Sequence, residues 1–240
     1  MNLGYTIISV DESRADTKED LRKQMWLPEV TDIEFVDARP EGVIDQTVED
    51  NRLKITGNKF HCGELGVWFS QINCWKWLAN SDLDGLIVLE DDAVVLPDAE
   101  YIFNAIVSLL PENWDFVVLR VPDDQLNDYY YNRTFFPDGG WRMNSLTRFT
   151  KTQSPHYLGN DLLATAYQGY SCVATLYSRE GAKKLLDLVD EHGLYTPVDC
   201  FLFLENNKKA LRGFAPLPQV APMFTMLEHG TITRHTGMYN

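Results

Sequence analysis

The chain has 240 residues, of which 45% are hydrophobic and 12% aromatic, so it is long enough to bury one substantial core. Its 35 acidic and 21 basic side chains leave a net charge of -14 at pH 7. This charge repels the phosphate backbone of nucleic acids, and we therefore expect no nucleic-acid partner.

The first ten residues lack the basic end, apolar stretch and cleavage site of a secretory signal. No apolar run reaches the length that a membrane span needs, so we predict a cytoplasmic protein without a membrane span. The cysteines are not spaced as zinc ligands, and we expect them to be buried and reduced. They are Cys62, Cys74, Cys172 and Cys200. The oligomeric state stays open.

The beginning of the chain alternates between apolar and polar segments. Tyr5 to Val10 predicts a strand, Asp11 to Gln24 predicts a helix, and Asp32 to Val36 predicts a second strand. The polar segment from Asp37 to Lys59 contains one proline and two glycines, which favours a loop or lid.

The middle of the chain continues this alternation. Apolar residues recur at three- and four-residue steps from Glu64 to Leu78, which predicts a helix packed on the core. Gly85 to Leu89 is uniformly apolar, as is typical of a central strand covered on both faces. A helix is predicted at Asp98 to Leu110 and a strand at Asp115 to Val121. Together these elements predict an open, mostly parallel α/β sheet flanked by helices.

The periodicity fails between Pro122 and Gly169, a stretch rich in aromatic side chains. Tyr170 to Tyr177 predicts another strand, after which Ser178 is expected to cap a helix that ends at Gly193.

A last helix and strand are expected near the end of the chain. Thr196 is the predicted cap of this helix, Pro197 its first residue, and Gly213 lies near its end. Phe214 to Ala221 contains prolines, which favours an edge strand over a core strand.

The run Glu90-Asp91-Asp92 follows the apolar strand directly. Because side chains alternate across a strand, Glu90 and Asp92 are expected on one side and Asp91 on the other. Open sheets bind ligands beyond the carboxyl ends of their strands, and Mg²⁺ or Mn²⁺ prefers carboxylate oxygens, with phosphate and water completing the shell. The alternative is a solvated acidic turn before the next helix.

The residues around the acidic run carry a resemblance to a known family. Gly63-Glu64-Leu65-Gly66, Ser70, Trp75 and Leu89 to Ala93 stand in an order that resembles the lipopolysaccharide galactosyltransferases and procollagen galactosyltransferases. That family carries a Ser-His pair where this chain has Ser70-Gln71. The similarity extends over most of the chain, outside 122–169. Its further segments are Ile7 to Val10, Arg14, Phe35 to Ala38, Tyr177 to Leu186 and Pro197 to Asp199.

The resemblance implies a GT-A fold and the transfer of a hexose, of galactose or glucose type, from a UDP-sugar. The acceptor is a hydroxyl on a glycan or protein, as in lipopolysaccharide biosynthesis. Mn²⁺ or Mg²⁺ is the implied cofactor, with Glu90 and Asp92 binding metal and donor, and the anomeric configuration is inverted. Residues 1–240 then form one domain, in which 1–121 binds the nucleotide sugar and 122–240 binds the acceptor, with a flexible segment at 122–169.

An inverting transfer needs a base that removes the proton of the acceptor hydroxyl, and Asp199 is the leading candidate. Its alternative role is to stabilise the amino terminus of the last helix. Asp11, Arg14, Asp37 and Ser70 are candidates for binding the donor. For Asp37 the alternative is a turn-forming role, and for Asp11 and Arg14 it is a helix-starting acid and an exposed arginine.

Two further groups of side chains are weaker candidates. The aromatic residues between 129 and 141 could stack on sugar rings, while Arg133, Arg142 and Arg148 neutralise a diphosphate. Alternatively, these aromatic residues could pack on one another inside a loop. His229, Arg234 and His235 could close over the diphosphate or supply a metal ligand, or they could belong to a polar terminus.

Two other functions are compatible with the same residues. A metal-dependent phosphate-ester hydrolase or nucleotidyltransferase also uses acids at a strand end, and it needs no sugar acceptor. A degenerate sugar-nucleotide binding module would bind nucleotide and metal without transfer.

Overall fold

The structure is a computed structural model that describes residues 1–10, 14–57, 60–120, 133–135, 141–143, 163–166, 172–216 and 223–226. The strands are β1 (Leu3–Ile8), β2 (Gly85–Glu90), β3 (Ala93–Val95), β4 (Phe116–Val118), β5 (Arg133–Phe135), β6 (Trp141–Met143), β7 (Leu163–Thr165), β8 (Ala174–Ser178), β9 (Gly213–Pro216) and β10 (Phe224–Met226). The helices are α1 (Ala15–Gln24), α2 (Val43–Asn51), α3 (Cys62–Ala79), α4 (Ala99–Ser108), α5 (Arg179–His192) and α6 (Val198–Asn207).

The largest sheet has six strands in the order β1-β2-β8-β4-β9-β7. β1 is parallel to β2 and β4 is parallel to β9, whereas β8 is antiparallel to both β2 and β4, and β7 is antiparallel to β9. Four strands therefore point one way and two point the other, which confirms the predicted mostly parallel α/β sheet. Both β8 and β7 come from the second half of the chain, so the two halves share one sheet.

The two faces of the sheet belong to separate hydrophobic cores. On β2, Leu86 and Val88 lie in one core, while Ile87 and Leu89 lie in the other. Side chains of α3, α5 and α6 complete the first core, and those of α1 and α4 complete the second. This burial on both faces explains why the strand is uniformly apolar.

The helix predicted between the Ser178 cap and Gly193 is confirmed by α5. The Ser178 hydroxyl accepts a hydrogen bond from the Gly181 amide at 2.9 Å and donates one to the Trp114 carbonyl at 2.8 Å. Gly193 follows the helix with φ +72°, a conformation that favours glycine. One serine therefore both caps the helix and attaches it to the start of β4.

The predicted strand at 32–36 is wrong, because the structure has no strand there. The Val36 amide donates to the Ser70 hydroxyl at 3.0 Å, and the Asn73 side chain donates to the Glu34 carbonyl at 2.9 Å. Side chains of α3 thus occupy the backbone groups that a neighbouring strand would need.

The predicted loop at 37–59 is also wrong in part, because it contains α2. Gly42 precedes this helix with φ +82°. Ile44 is buried and lies in the first core, with Val48 packed against it. Tertiary packing of two apolar side chains therefore stabilises a helix in a polar segment.

The end of the described chain differs from the prediction in three details. Pro197, not Thr196, is the residue before α6, so the helix begins one residue later than predicted. The helix ends at Asn207 instead of near Gly213. The strand β9 lies between β4 and β7, so it is an interior strand of the sheet and not an edge strand.

Most of the aromatic segment lies outside the described residues, as do Arg148, His229, Arg234 and His235. Of Arg133, Trp141 and Arg142 the structure describes only the backbone. Within the part of the chain that is described, none of the helices has both the length and the apolar character that crossing a membrane requires.

Candidate functional site

The candidate site lies at the carboxyl edge of the two central strands β2 and β4. The Glu90 amide, at the end of β2, donates to the Val173 carbonyl at 2.9 Å, and the Leu119 amide, just after β4, donates to the Ala174 carbonyl at 2.9 Å. The beginning of β8 thus separates the two strand ends. Glu90 and Arg120 therefore lie on either side of it, at the same edge of the sheet.

Three of the predicted site carboxylates lie near one another at this edge. Burial, together with the negative charges of Asp92, Asp199 and Asp91, raises the pKa of Glu90 to about 8. A charge acts on Glu90 in this way only from nearby, so these carboxyl groups form one acidic cluster. The structure thereby brings together Glu90 and Asp92, the predicted metal ligands, and Asp199, the predicted base.

The strand alternation that was expected to place Glu90 and Asp92 on one side does not apply here. β2 ends at Glu90, and Asp91 and Asp92 form a turn that leads into β3. The turn returns Asp92 toward Glu90, and β3 is then held by antiparallel pairing with β10, with Ala93 opposite Met226. The expected proximity is present, but a turn produces it.

The surroundings of the Asp92 carboxylate suit the binding of a cation. Burial and the charge of Asp91 raise its pKa, while Arg14 and Arg120 act in the opposite direction. One carboxylate oxygen, Oδ1, is buried and has no hydrogen-bond partner among the described residues. A buried polar atom of this kind is costly unless a ligand or water satisfies it. Glu90 and Asp92 therefore fit a hard divalent cation.

The described residues do not include a group of three or more His, Cys, Asp or Glu side chains arranged to hold a metal. The candidate ligands in this part of the chain are the two carboxylates of Glu90 and Asp92. Magnesium and manganese sites on nucleotide enzymes have this form, because phosphate oxygens and water complete the octahedron.

Asp91 takes a different role from its two neighbours. Its carboxylate is buried, and Oδ1 accepts a hydrogen bond from the guanidinium of Arg14, just before α1. The pair connects the end of β2 to the segment that follows β1. Arg14, a predicted donor-binding residue, therefore lies at the acidic cluster.

Asp199 reaches the cluster because α3 positions the beginning of α6. The Trp68 indole donates to the Thr196 carbonyl at 2.8 Å, and its ring packs edge-on against Phe201 at 5.1 Å between centroids. Asp199 lies in the first turn of α6, where its Oδ1 accepts a hydrogen bond from the Cys200 amide at 2.7 Å. The proposed helix-terminus role and proximity to Glu90 coexist in this arrangement.

The neighbouring thiols do not add charge to this cluster. Burial, followed by the charges of Asp199 and Glu90, raises the pKa of Cys172 well above its ordinary value. Burial and Asp199 also raise the pKa of Cys200. Both thiols stay protonated, and Cys74, Cys172 and Cys200 are buried, whereas Cys62 is partly exposed.

Asp37 and Ser70 have hydrogen-bond partners of their own. The Asp37 carboxylate accepts two hydrogen bonds from the Arg39 guanidinium, at 2.7 and 2.6 Å. Ser70 is fully buried and binds Val36, the residue before Asp37. Ser70 thus fixes the backbone beside Asp37, and donor binding by these two residues stays a prediction. Asp11 lies outside the described residues.

The Gly-Glu-x-Gly segment has a structural explanation. The Glu64 carboxylate accepts a hydrogen bond from the His61 amide at 2.8 Å, which stabilises the start of α3. A Cβ atom on Gly66 would lie 3.0 Å from the Val36 carbonyl oxygen. The segment therefore allows α3 to approach the backbone that carries Asp37.

Arg120 is the site residue that the sequence prediction missed. It is buried, and its positive charge lowers the pKa of both Glu90 and Asp92 against the effect of burial. The available signal was its place directly after the apolar run Phe116 to Leu119. This repeats the pattern by which Glu90 follows its own apolar strand.

Comparisons with known proteins agree with the family expected from the acidic run. The model of glycosyltransferase family 25, described as LPS biosynthesis protein, matches residues 5–202. No curated protein matches the chain.

Two solved structures are similar to the chain at 14% sequence identity. A197 from STIV has a TM-score of 0.42, with 93% of this chain and 83% of that chain covered. Mouse xyloside xylosyltransferase 1 in its apo form has a TM-score of 0.33, with 87% of this chain and 70% of that chain covered.

The family match spans both of the strands that end in the acidic cluster and includes Asp199 on α6. The chain belongs to glycosyltransferase family 25.

Proposed function

We propose that this protein transfers a hexose, of galactose or glucose type, from a UDP-sugar to a hydroxyl group on a glycan or protein acceptor. The proposal includes Mn²⁺ or Mg²⁺ as cofactor and inversion of the anomeric configuration. The observation that carries it is the meeting of Glu90, Asp92 and Asp199 at one edge of the sheet.

The charges of the cluster support a divalent cation. The charges of Asp91, Asp92 and Asp199 act on Glu90, and the charge of Asp91 also acts on Asp92. The guanidinium of Arg120 acts against both effects, and that of Arg14 acts against the second. When all are ionised, two negative charges remain uncompensated. Glu90 and Asp92 would hold the cation, which when bound stabilises the negative charge of the departing diphosphate.

Asp199 is the residue that we assign to proton removal. A carboxylate next to the reacting oxygen can accept the hydroxyl proton as that oxygen attacks the anomeric carbon. The carbon–oxygen bond to the diphosphate breaks as the new glycosidic bond forms, and the proton remains on Asp199. A single displacement of this kind inverts the configuration, in agreement with the resemblance described above.

In the decisive experiment, the protein and Mn²⁺ are incubated with a panel of nucleotide sugars, with and without candidate acceptors. Release of the nucleotide is measured. Asp92→Asn should reduce release by about 100-fold or more, because an oxygen ligand with full charge is lost. Asp98→Asn is the matched control, since Asp98 is an exposed acid six residues away. It should leave the rate unchanged.

The same experiment separates the other functions. Failure of every sugar nucleotide to bind or turn over, or wild-type behaviour of Asp92→Asn, would contradict the proposal. Phosphate-ester cleavage that is indifferent to an acceptor would instead indicate a hydrolase. Nucleotide binding that persists without turnover would indicate a binding module.

A further inference from the structure

We propose that Arg120 binds the diphosphate of the nucleotide sugar beside the acidic cluster. This inference rests on the proposed function, because it assigns a second contact to the donor of that reaction. It goes beyond that function by naming the residue that distinguishes a nucleotide diphosphate from the bare nucleoside.

The backbone around Arg120 is held in place on two sides. The preceding Leu119 amide donates to the Ala174 carbonyl, as described above, and Arg120 itself forms a parallel bridge with Phe224 next to β10. The same β10 pairs with β3, the strand that follows Asp92. The backbone of Arg120 is therefore held at the same edge of the sheet as Glu90 and Asp92.

The acidic cluster needs a cation in this position if a diphosphate is to approach it. When ionised, the four carboxyl groups repel a phosphate anion, and a divalent cation together with Arg14 offsets only three of those four charges. Arg14 donates to Asp91 and its charge also acts on Asp92, whereas the charge of Arg120 acts on both proposed metal ligands, Glu90 and Asp92. A phosphate oxygen shared with a cation on Glu90 and Asp92 would thus lie next to Arg120. The planar guanidinium is well suited to phosphate oxygens.

A purely structural role predicts a different response to mutation. If Arg120 only held the carboxylates together, its removal would disorder them and weaken the binding of Mn²⁺ and nucleotide alike. If Arg120 binds the diphosphate, its removal weakens nucleotide binding while Mn²⁺ alone binds equally well or more tightly, because a neighbouring positive charge has been lost.

The experiment compares wild type, Arg120→Met and Arg120→Lys by calorimetry, with Mn²⁺ alone, then with UDP or uridine at saturating Mn²⁺. We expect UDP to bind Arg120→Met about 10- to 100-fold more weakly, as for the loss of a hydrogen bond to a charged group. Uridine affinity should stay within about twofold, and Arg120→Lys should recover part of the UDP affinity. Arg212→Met is the matched control, because Arg212 is exposed and precedes β9 at the opposite edge of the sheet.

Equal affinity of wild type and Arg120→Met for UDP would overturn the inference, and so would a parallel loss of Mn²⁺ binding. If Arg120→Met does not fold, Arg120→Gln replaces it under the same criteria. A wild-type protein that binds neither Mn²⁺ nor UDP would overturn the proposed function as well. Wild-type binding with an unaffected Arg120→Met would overturn this inference alone.

Discussion

The guanidinium of Arg14 donates a hydrogen bond to the carboxylate of Asp91, and this contact joins the segment after β1 to the end of β2. The side chain of Asp91 is only 11% exposed, so its buried carboxylate depends on this partner. The pair with Arg14 thus gives Asp91 a structural role, while Glu90 and Asp92 are the proposed ligands of the cation.

Arg14→Met should lower the free energy of unfolding by about 1–2 kcal/mol, because it leaves a buried carboxylate without its charged partner. Urea unfolding of the metal-free protein measures this. Lys23→Met is the control, since Lys23 and Asp20 form an exposed pair whose loss should cost less than about 0.5 kcal/mol. Equal effects of the two substitutions would contradict the role assigned to Asp91.

The pKa of Glu90 predicts how stability changes with pH. The folded protein retains the Glu90 proton up to a pKa of about 8, whereas an ordinary glutamate releases it near 4.5. Between these values the folded state binds more protons than the unfolded state, so stability falls as pH rises from about 5 to 8. Glu90→Gln should reduce this decline.

Urea unfolding of metal-free protein at several pH values in that window measures the effect of Glu90→Gln. Glu180→Gln is the control, because a hydrogen bond from Lys183 lowers the pKa of Glu180, which therefore titrates below the window. If the stability of wild type and of Glu90→Gln depends on pH in the same way, the raised pKa of Glu90 is contradicted.

Asp199→Asn should lower the rate of transfer by about 100- to 10,000-fold, because the amide cannot accept the proton of the acceptor hydroxyl. Binding of UDP with Mn²⁺ should remain within about threefold of wild type, because the substituted side chain is assigned no contact with the donor. Asp187→Asn is the matched control, since Asp187 is exposed on α5. Unchanged transfer by Asp199→Asn would remove Asp199 from the mechanism.

Trp68→Phe tests how α3 positions Asp199. It removes the hydrogen bond to the buried Thr196 carbonyl, and we expect a loss of about 1–3 kcal/mol in the free energy of unfolding. Transfer should also fall, because the first turn of α6 is less firmly held. Trp77→Phe changes a partly exposed residue on the same helix and should have a smaller effect on stability and none on transfer. Denaturant titrations and transfer rates of both variants give the comparison, and equal losses would contradict the positioning role.

The sequence predicted those elements whose signal is local. The apolar run before Glu90, the helical stripe of α3 and the Ser178 cap of α5 each depend on neighbouring residues, and each is confirmed. The predictions at 32–36 and 37–59 failed, because α3 side chains bind the first backbone segment and the core stabilises α2 in the second. Neither contact is visible in a local pattern.

By itself, the sequence determined that this chain forms an α/β sheet with an acidic run at the end of its most apolar strand, because hydrophobic periodicity and strand burial are local properties. Only the tertiary structure decided which residues join that run. Asp199 lies on α6, whose beginning is held by Trp68. Arg120 lies just after β4, and the antiparallel β8 separates β4 from β2. Sheet order and helix docking depend on contacts between residues far apart in the chain, so no local spacing could reveal them.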